Sequence, residues 1–140
     1  MSVVAVCYTS QARPGLTRGE LDELLVDAVA HNTIQEVTGV LLHDGANFLQ
    51  YFEGPPEGVA RIYERIRAAS KHRDITELFH GAAPRRYFSQ WHMGSRVAAP
   101  GSLLALASAK WSRMHPNLDE DVTASPGVDA LLAFWDAAGQ

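Results

Sequence analysis

The chain has 140 residues, 46% hydrophobic and 20% charged, with a net charge of -4 and a pI near 5.8. This is enough apolar material for one core, and the acidic balance without any basic run excludes a broad nucleic-acid footprint. No apolar run reaches the roughly 18 residues of a membrane span, no basic-then-apolar leader opens the chain, and the lone Cys7 rules out an internal disulfide. A cytoplasmic protein with one domain and a C-terminal appendage is expected.

Val3 to Tyr8 alternates Val4, Val6 and Tyr8 on one face with Val3, Ala5 and Cys7 on the other, the pattern of a first strand. Thr17-Arg18-Gly19-Glu20 has capping-box spacing, so a helix starts there. Its stripe of Leu21, Leu24, Leu25, Ala28 and Val29 ends in the polar Asn32. Glu36 to His43 and Asn47 to Glu53 read as strands joined by the turn Asp44-Gly45-Ala46, which makes a hairpin.

Gly54-Pro55-Pro56 stops the hairpin and opens a second helix running to about Ser70. Its core face is Val59, Ile62, Tyr63 and Ile66, flanked by a stripe of Arg65, Ala69 and His72. Ile75 to Ala82 and Gln90 to Val97 supply two more strands. The order strand, helix, strand, strand, helix, strand, strand implies an α+β, ferredoxin-like sheet with both helices on one face. Gly101 to Trp111 and Gly127 to Ala138 read as further helices that cover the other face or a partner. Residues 98–140 thus form a C-terminal helical extension to a domain of residues 1–97.

Within the second hairpin strand, Phe48, Gln50 and Phe52 share one face. Gln50 therefore sits among apolar neighbours, where an unpaired amide costs roughly 2 to 7 kcal/mol. If the helices cover the Val4, Val6 and Tyr8 face, Tyr8 meets Gln50, with Trp91 and Met93 alongside from the last strand. A phenol and a primary amide can pair in more than one arrangement, and Asn32 adds a group suited to a carbonyl and ring nitrogen of a flat heterocycle. On these residues alone, a satisfied core trio fits as well as a ligand site.

The chain resembles the BLUF domains, flavin-binding sensors of blue light, over about residues 1 to 97. Tyr8 and Ser10 match the end of the family's first strand, and His31 and Asn32 its helix-end signature. Thr38-Gly39-Val40-Leu41-Leu42 resembles its TGLLL strand, while Phe48, Gln50 and Glu53-Gly54 match the next one. Trp91-His92-Met93-Gly94 resembles its W-S-M-G segment, and the total length is similar to that of short stand-alone members. The common D-x-R-H pattern after the second helix reads Ala69-Ser70-Lys71-His72 here, so a carboxylate is missing and Lys replaces Arg. His43 stands where many members have Tyr.

The resemblance implies non-covalent FAD, or FMN, between the two helices. The ring would be gripped by Leu24, Phe48 and Ile66 and hydrogen-bonded by Asn32 and Gln50. Ser10, His31, Arg65, Lys71 and His72 complete the implied contacts. It further implies that Tyr8 gives an electron and a proton under blue light, and that their return leaves Gln50 rearranged, with a small reversible red shift. Trp91 and Met93 would pass this change to a separate downstream partner, and a homo-oligomer would form through the sheet face or the C-terminal helices. The rival readings are a small ferredoxin-like enzyme of monooxygenase or acylphosphatase type and a cofactor-free interaction module. No HExxH, GxSxG or GxxxxGK[ST] supplies an enzyme site, so a non-enzymatic protein is expected.

Overall fold

The structure, a computed structural model, describes residues 3–70, 72–109, 111 and 126–138. Strands β1 (Val3–Ala12), β2 (Thr38–His43), β3 (Asn47–Gly54), β4 (His72–Ala83) and β5 (Gly94–Val97) form one sheet in the order β4-β1-β3-β2-β5. Helices α1 (Arg18–Ile34) and α2 (Pro56–Ala68) form the two crossovers, and α3 (Pro100–Ser108) and α4 (Pro126–Ala138) follow the sheet. All pairings are antiparallel except β2 with β5. This is the α+β, ferredoxin-like architecture with a fifth strand added.

Local chemistry sets the boundaries. The Thr17 hydroxyl accepts from the Glu20 amide while the Glu20 carboxylate accepts from the Thr17 amide, so the capping box starts α1 as its spacing requires. In the hairpin turn, the Asp44 carboxylate accepts from the amides of Ala46 and Asn47 at 2.9 and 2.7 Å, and Gly45 takes φ +93°. Strand β2 starts at Thr38, two residues later than expected, because Glu36 turns the chain with φ +59° and its amide bonds the Thr33 carbonyl. Helix α2 ends at Ala68 because Ala69 is extended.

The alternation of each strand divides the core between the two faces of the sheet. On the inner face, Val6, Tyr8 and Phe52 pack with Val59, Ile62 and Tyr63 of α2, while Leu41, Phe48 and Met93 face Leu21, Leu24 and Leu25 of α1. On the outer face, Ala5, Cys7, Leu42, Leu49 and Tyr51 share a core with Leu103, Leu106, Val128, Leu131 and Trp135 of α3 and α4. α3 and α4 thus pack on the outer face of the sheet. Each fully buried side chain of this size contributes about 1.5 to 3 kcal/mol, so both layers matter to stability.

The last strand differs most from expectation. β5 begins at Gly94, and residues 90–93 lie outside the ladder. Their backbone groups bond elsewhere: Trp91 O accepts from Gly39 N at 2.8 Å, and His92 O accepts from the Asn32 side chain at 2.6 Å. Without the strict alternation of a strand, Trp91 and Met93 do not share the inner face. Met93 is buried beside Gln50, whereas Trp91 is 39% exposed and packs edge-on against Trp135 on the outer side.

Candidate functional site

Tyr8 and Gln50 face each other directly across the β1–β3 pairing, and both side chains point toward the helices. The Tyr8 hydroxyl donates to Gln50 Oε1, and Gln50 Nε2 donates to Met93 Sδ at 3.6 Å. Both residues are buried, at 2% and 7% exposure, so this chain of donors is protected from solvent exchange. Burial, with smaller contributions from Cys7 and Tyr63, pushes the Tyr8 phenol far up. It therefore carries its proton throughout the physiological range.

Above this pair, α1 and α2 leave an open cleft. Leu24 and Ala28 of α1 and Ile62 and Ile66 of α2 form apolar walls, with Leu41, Phe48, Gln50 and Met93 as the floor. Asn32 reaches in from the C-terminal turn of α1. One of its amide hydrogens goes to His92 O, leaving its oxygen and second hydrogen for the cleft. At the half-exposed edge, Asp27 bridges Arg65 at 2.6 Å and His31 at 3.5 Å.

His72 closes the far end. Its Nε2 meets the carbonyl of Ile66 at 2.9 Å, which requires a proton on that nitrogen, so Nδ1 accepts from the Ser10 hydroxyl at 2.7 Å in the neutral ring. Ser10 itself is not on the cleft wall and reaches it only through His72. The structure thus gathers Tyr8, Leu24, His31, Asn32, Phe48, Gln50, Arg65, Ile66, His72 and Met93 around one space and leaves Trp91 outside it. Lys71 lies outside the described residues.

Besides Ala28 and Ile62, expected only on the apolar helix stripes, sequence reasoning missed Asp27, Leu41 and Ala69 as lining residues. Signals for each were present. Asp27 stands four residues before His31 on one helix face, Leu41 pairs directly with Gln50, and Ala69 lies on the flanking stripe of α2.

The donor set fits a flat heteroaromatic ring: apolar walls above and below, and amides at its edge able to meet both a carbonyl and a ring N–H. A Tyr–Gln pair held against such a slot on a ferredoxin-like sheet defines the class, a domain with a site for a planar heterocycle.

Residues 3–94 match the family model BLUF, "Sensors of blue-light using FAD". The chain is 34% identical over 95 residues to the photoactivated adenylate cyclase subunit beta of Euglena gracilis, covering 67% of this chain and 11% of that protein. It is 34% identical over 88 residues to the blue light- and temperature-regulated antirepressor BluF of Escherichia coli, covering 63% and 22%. Among solved structures, the dark state of the BLUF protein BlrB superposes with a TM-score of 0.65 and 26% identity, covering 76% of this chain and 79% of that one. The chain belongs to the BLUF family of blue-light sensors, which bind a flavin. It spans about a tenth of the length of the cyclase relatives it matches.

Proposed function

We propose that this chain senses blue light through the Tyr8–Gln50–Met93 hydrogen-bond chain and hands the change to a separate partner protein. The reading is supported above all by Tyr8 donating to Gln50 on the floor of an apolar cleft between α1 and α2. FAD is the proposed flavin, with Leu24 and Ile66 against the ring, Asn32 and Gln50 at its polar edge, and His31, Arg65 and His72 around the rim. When bound and excited by blue light, the flavin supplies a strong oxidant.

The residues of the chain then do the rest. Tyr8 gives up an electron, which acidifies its phenol and releases a proton that burial otherwise holds tightly. In the starting arrangement Gln50 accepts from Tyr8 and donates to Met93. When electron and proton return, Gln50 is left with its donor and acceptor ends exchanged, so a donor now faces the tyrosine oxygen or the cleft. Met93 detects the exchange because a thioether accepts weakly and cannot donate: an amide oxygen turned toward sulfur has no bond to make. Met93 therefore loses its hold on Gln50 and moves the segment before β5 with it.

Asn32 belongs to the same relay, since its bond to His92 O ties the end of α1 to that segment. Trp91, outside the cleft against Trp135, is the proposed carrier of the movement to α4. The outer sheet face is already covered by α3 and α4, so self-assembly is assigned to the C-terminal helices, with exposed Leu104 of α3 as a contact. No helix among the described residues is long and apolar enough to cross a membrane.

Light-minus-dark absorption spectra of the flavin-loaded protein test the reading. Gln50→Leu is expected to retain flavin and lose the light-induced red shift, and Tyr8→Phe to lose normal photocycling. A red shift persisting in Gln50→Leu overturns the amide mechanism.

A further inference from the structure

On the outer side of the sheet, away from the cleft, a second pocket of about 830 Å³ lies between the loop holding Tyr87 to Trp91, Arg96 of β5 and Trp135 of α4. Four aromatic rings share its walls with the polar Ser89, Gln90, Arg96 and Asp136. Phe88 and Trp91 meet Trp135 edge-on at 6.1 and 5.8 Å between ring centroids, at 86° and 71°.

Arg96 lies over Trp135, its guanidinium carbon 4.1 Å from the ring centroid. Stacking occupies the face of the guanidinium and leaves its edges for hydrogen bonds. Nη1 donates to the Ser95 carbonyl at 3.3 Å, while Nε is buried and meets no acceptor. Tyr87, on the same pocket, has a buried hydroxyl that also lacks a partner. These two atoms are the buried side-chain polar atoms without a hydrogen bond among the described residues, and both belong to residues lining this pocket. Buried polar groups are normally paired, so the coincidence argues for an absent acceptor rather than two separate packing faults.

The free edge specifies the acceptor. Nε and the adjacent Nη2 are the pair of donors that fork onto a planar carboxylate. Asp136 also lines the pocket, yet it is exposed and makes no ion pair with Arg96 among the described residues. It therefore leaves the guanidinium free but disfavours a second negative charge.

We propose that this pocket binds a planar aromatic monocarboxylate, its carboxylate taken by the Nε edge of Arg96, with the Tyr87 hydroxyl as second donor and the ring against Trp91. None of these groups lines the flavin cleft, and the variants below leave Trp91 and Trp135 in place, so failure of this site and failure of the photochemistry are distinguishable.

The test is a titration of the full, flavin-loaded chain with sodium benzoate, with benzamide as the neutral control of the same shape, following the indole N–H resonances of Trp91 and Trp135. Saturable shifts of both resonances are expected, with benzamide at least about tenfold weaker, the share of affinity a charge-assisted bond supplies. Arg96→Gln should lose benzoate binding by a similar factor and keep its flavin absorption and red shift. Should glutamine disturb folding, Arg96→Lys keeps the charge, removes the forked edge and is expected to lose binding likewise. Tyr87→Phe should weaken binding severalfold. Non-saturating shifts, equal binding of benzamide, or benzoate binding unchanged in a folded Arg96 variant each overturn the proposal.

Discussion

Glu53 lies on the outer face of β3 with no exposed surface, yet its carboxylate collects three donors: the Tyr51 hydroxyl at 3.1 Å and the backbone amides of Tyr87 and Phe88 at 2.8 and 2.6 Å. It fastens the loop that precedes Trp91 to the sheet. Burial pushes its carboxyl above the ordinary value, outweighing the two backbone amides that pull it down. A raised native pKa means that the folded chain keeps this proton to higher pH than the unfolded one. Its contribution to stability is therefore full below the ordinary carboxylate value and is lost as pH rises through the native value. Urea unfolding at a series of pH values should show this slope in the natural protein and not in Glu53→Gln. At neutral pH, Glu53→Gln turns an amide nitrogen toward backbone N–H groups and leaves one unpaired, a loss of about 1 to 3 kcal/mol measurable in the same experiment. Across the sheet, Ser10→Ala removes the donor to His72 Nδ1 and should cost about 1 kcal/mol.

Among the elements, α1 joins a capped first turn to a stripe of half-buried apolar residues, Asn32 being its one fully buried residue. Thr17→Ala deletes the reciprocal cap and should lower stability by about 1 kcal/mol, read from the urea midpoint. The cap, the Asp44-Gly45-Ala46 turn and the proline start of α2 are short-range chemistry, and each was readable from the chain alone. So was the pairing of Tyr8 with Gln50, because alternation fixes which side of a strand a residue faces. The misplaced Trp91 had the opposite cause. Its segment takes its hydrogen bonds from Gly39 and Asn32, distant in sequence, and no local pattern records that. The left-handed Glu36 is likewise imposed by the connection it makes, while the left-handed Asp74 sits within β4 where its pairing with β1 shifts between the Gln11–Arg73 and Thr9–Thr76 pairs. The free edge of β4 shows how the fold guards itself. A bulge at Leu78, between the Tyr8–Glu77 and Cys7–Phe79 pairs, interrupts the ladder that another chain would otherwise extend. Near the other edge, a methyl group on Gly94 would stand 2.8 Å from the Trp135 ring. Gly94→Ala should displace α4 at a loss of about 1 to 3 kcal/mol, with a change in tryptophan fluorescence.

At the scale of the whole molecule, the two faces of the sheet are unequal. The outer core is closed by large side chains from α3 and α4, whereas the cleft separates α1 from α2 and leaves Leu24, Ala28 and Ile66 partly exposed. A flavin ring would complete the inner core, so flavin should act as a folding partner as well as a chromophore. Linkage sets the size of the effect: free flavin at about 100 times its dissociation constant should add about 2.7 kcal/mol, seen as a higher unfolding temperature, with increased amide protection in α1.

Cys7 is the immediate neighbour of Tyr8, and it lies wholly within the opposite layer of the protein. The odd-even count of a single strand thereby keeps the buried Cys7 thiol apart from the cleft proposed for the flavin. Adding or deleting one residue ahead of Tyr8 in β1 would exchange their compartments, placing a thiol beside the amide and the phenol among the C-terminal aliphatics. Light sensing in this chain thus rests on counting by ones as much as on the identity of the groups involved.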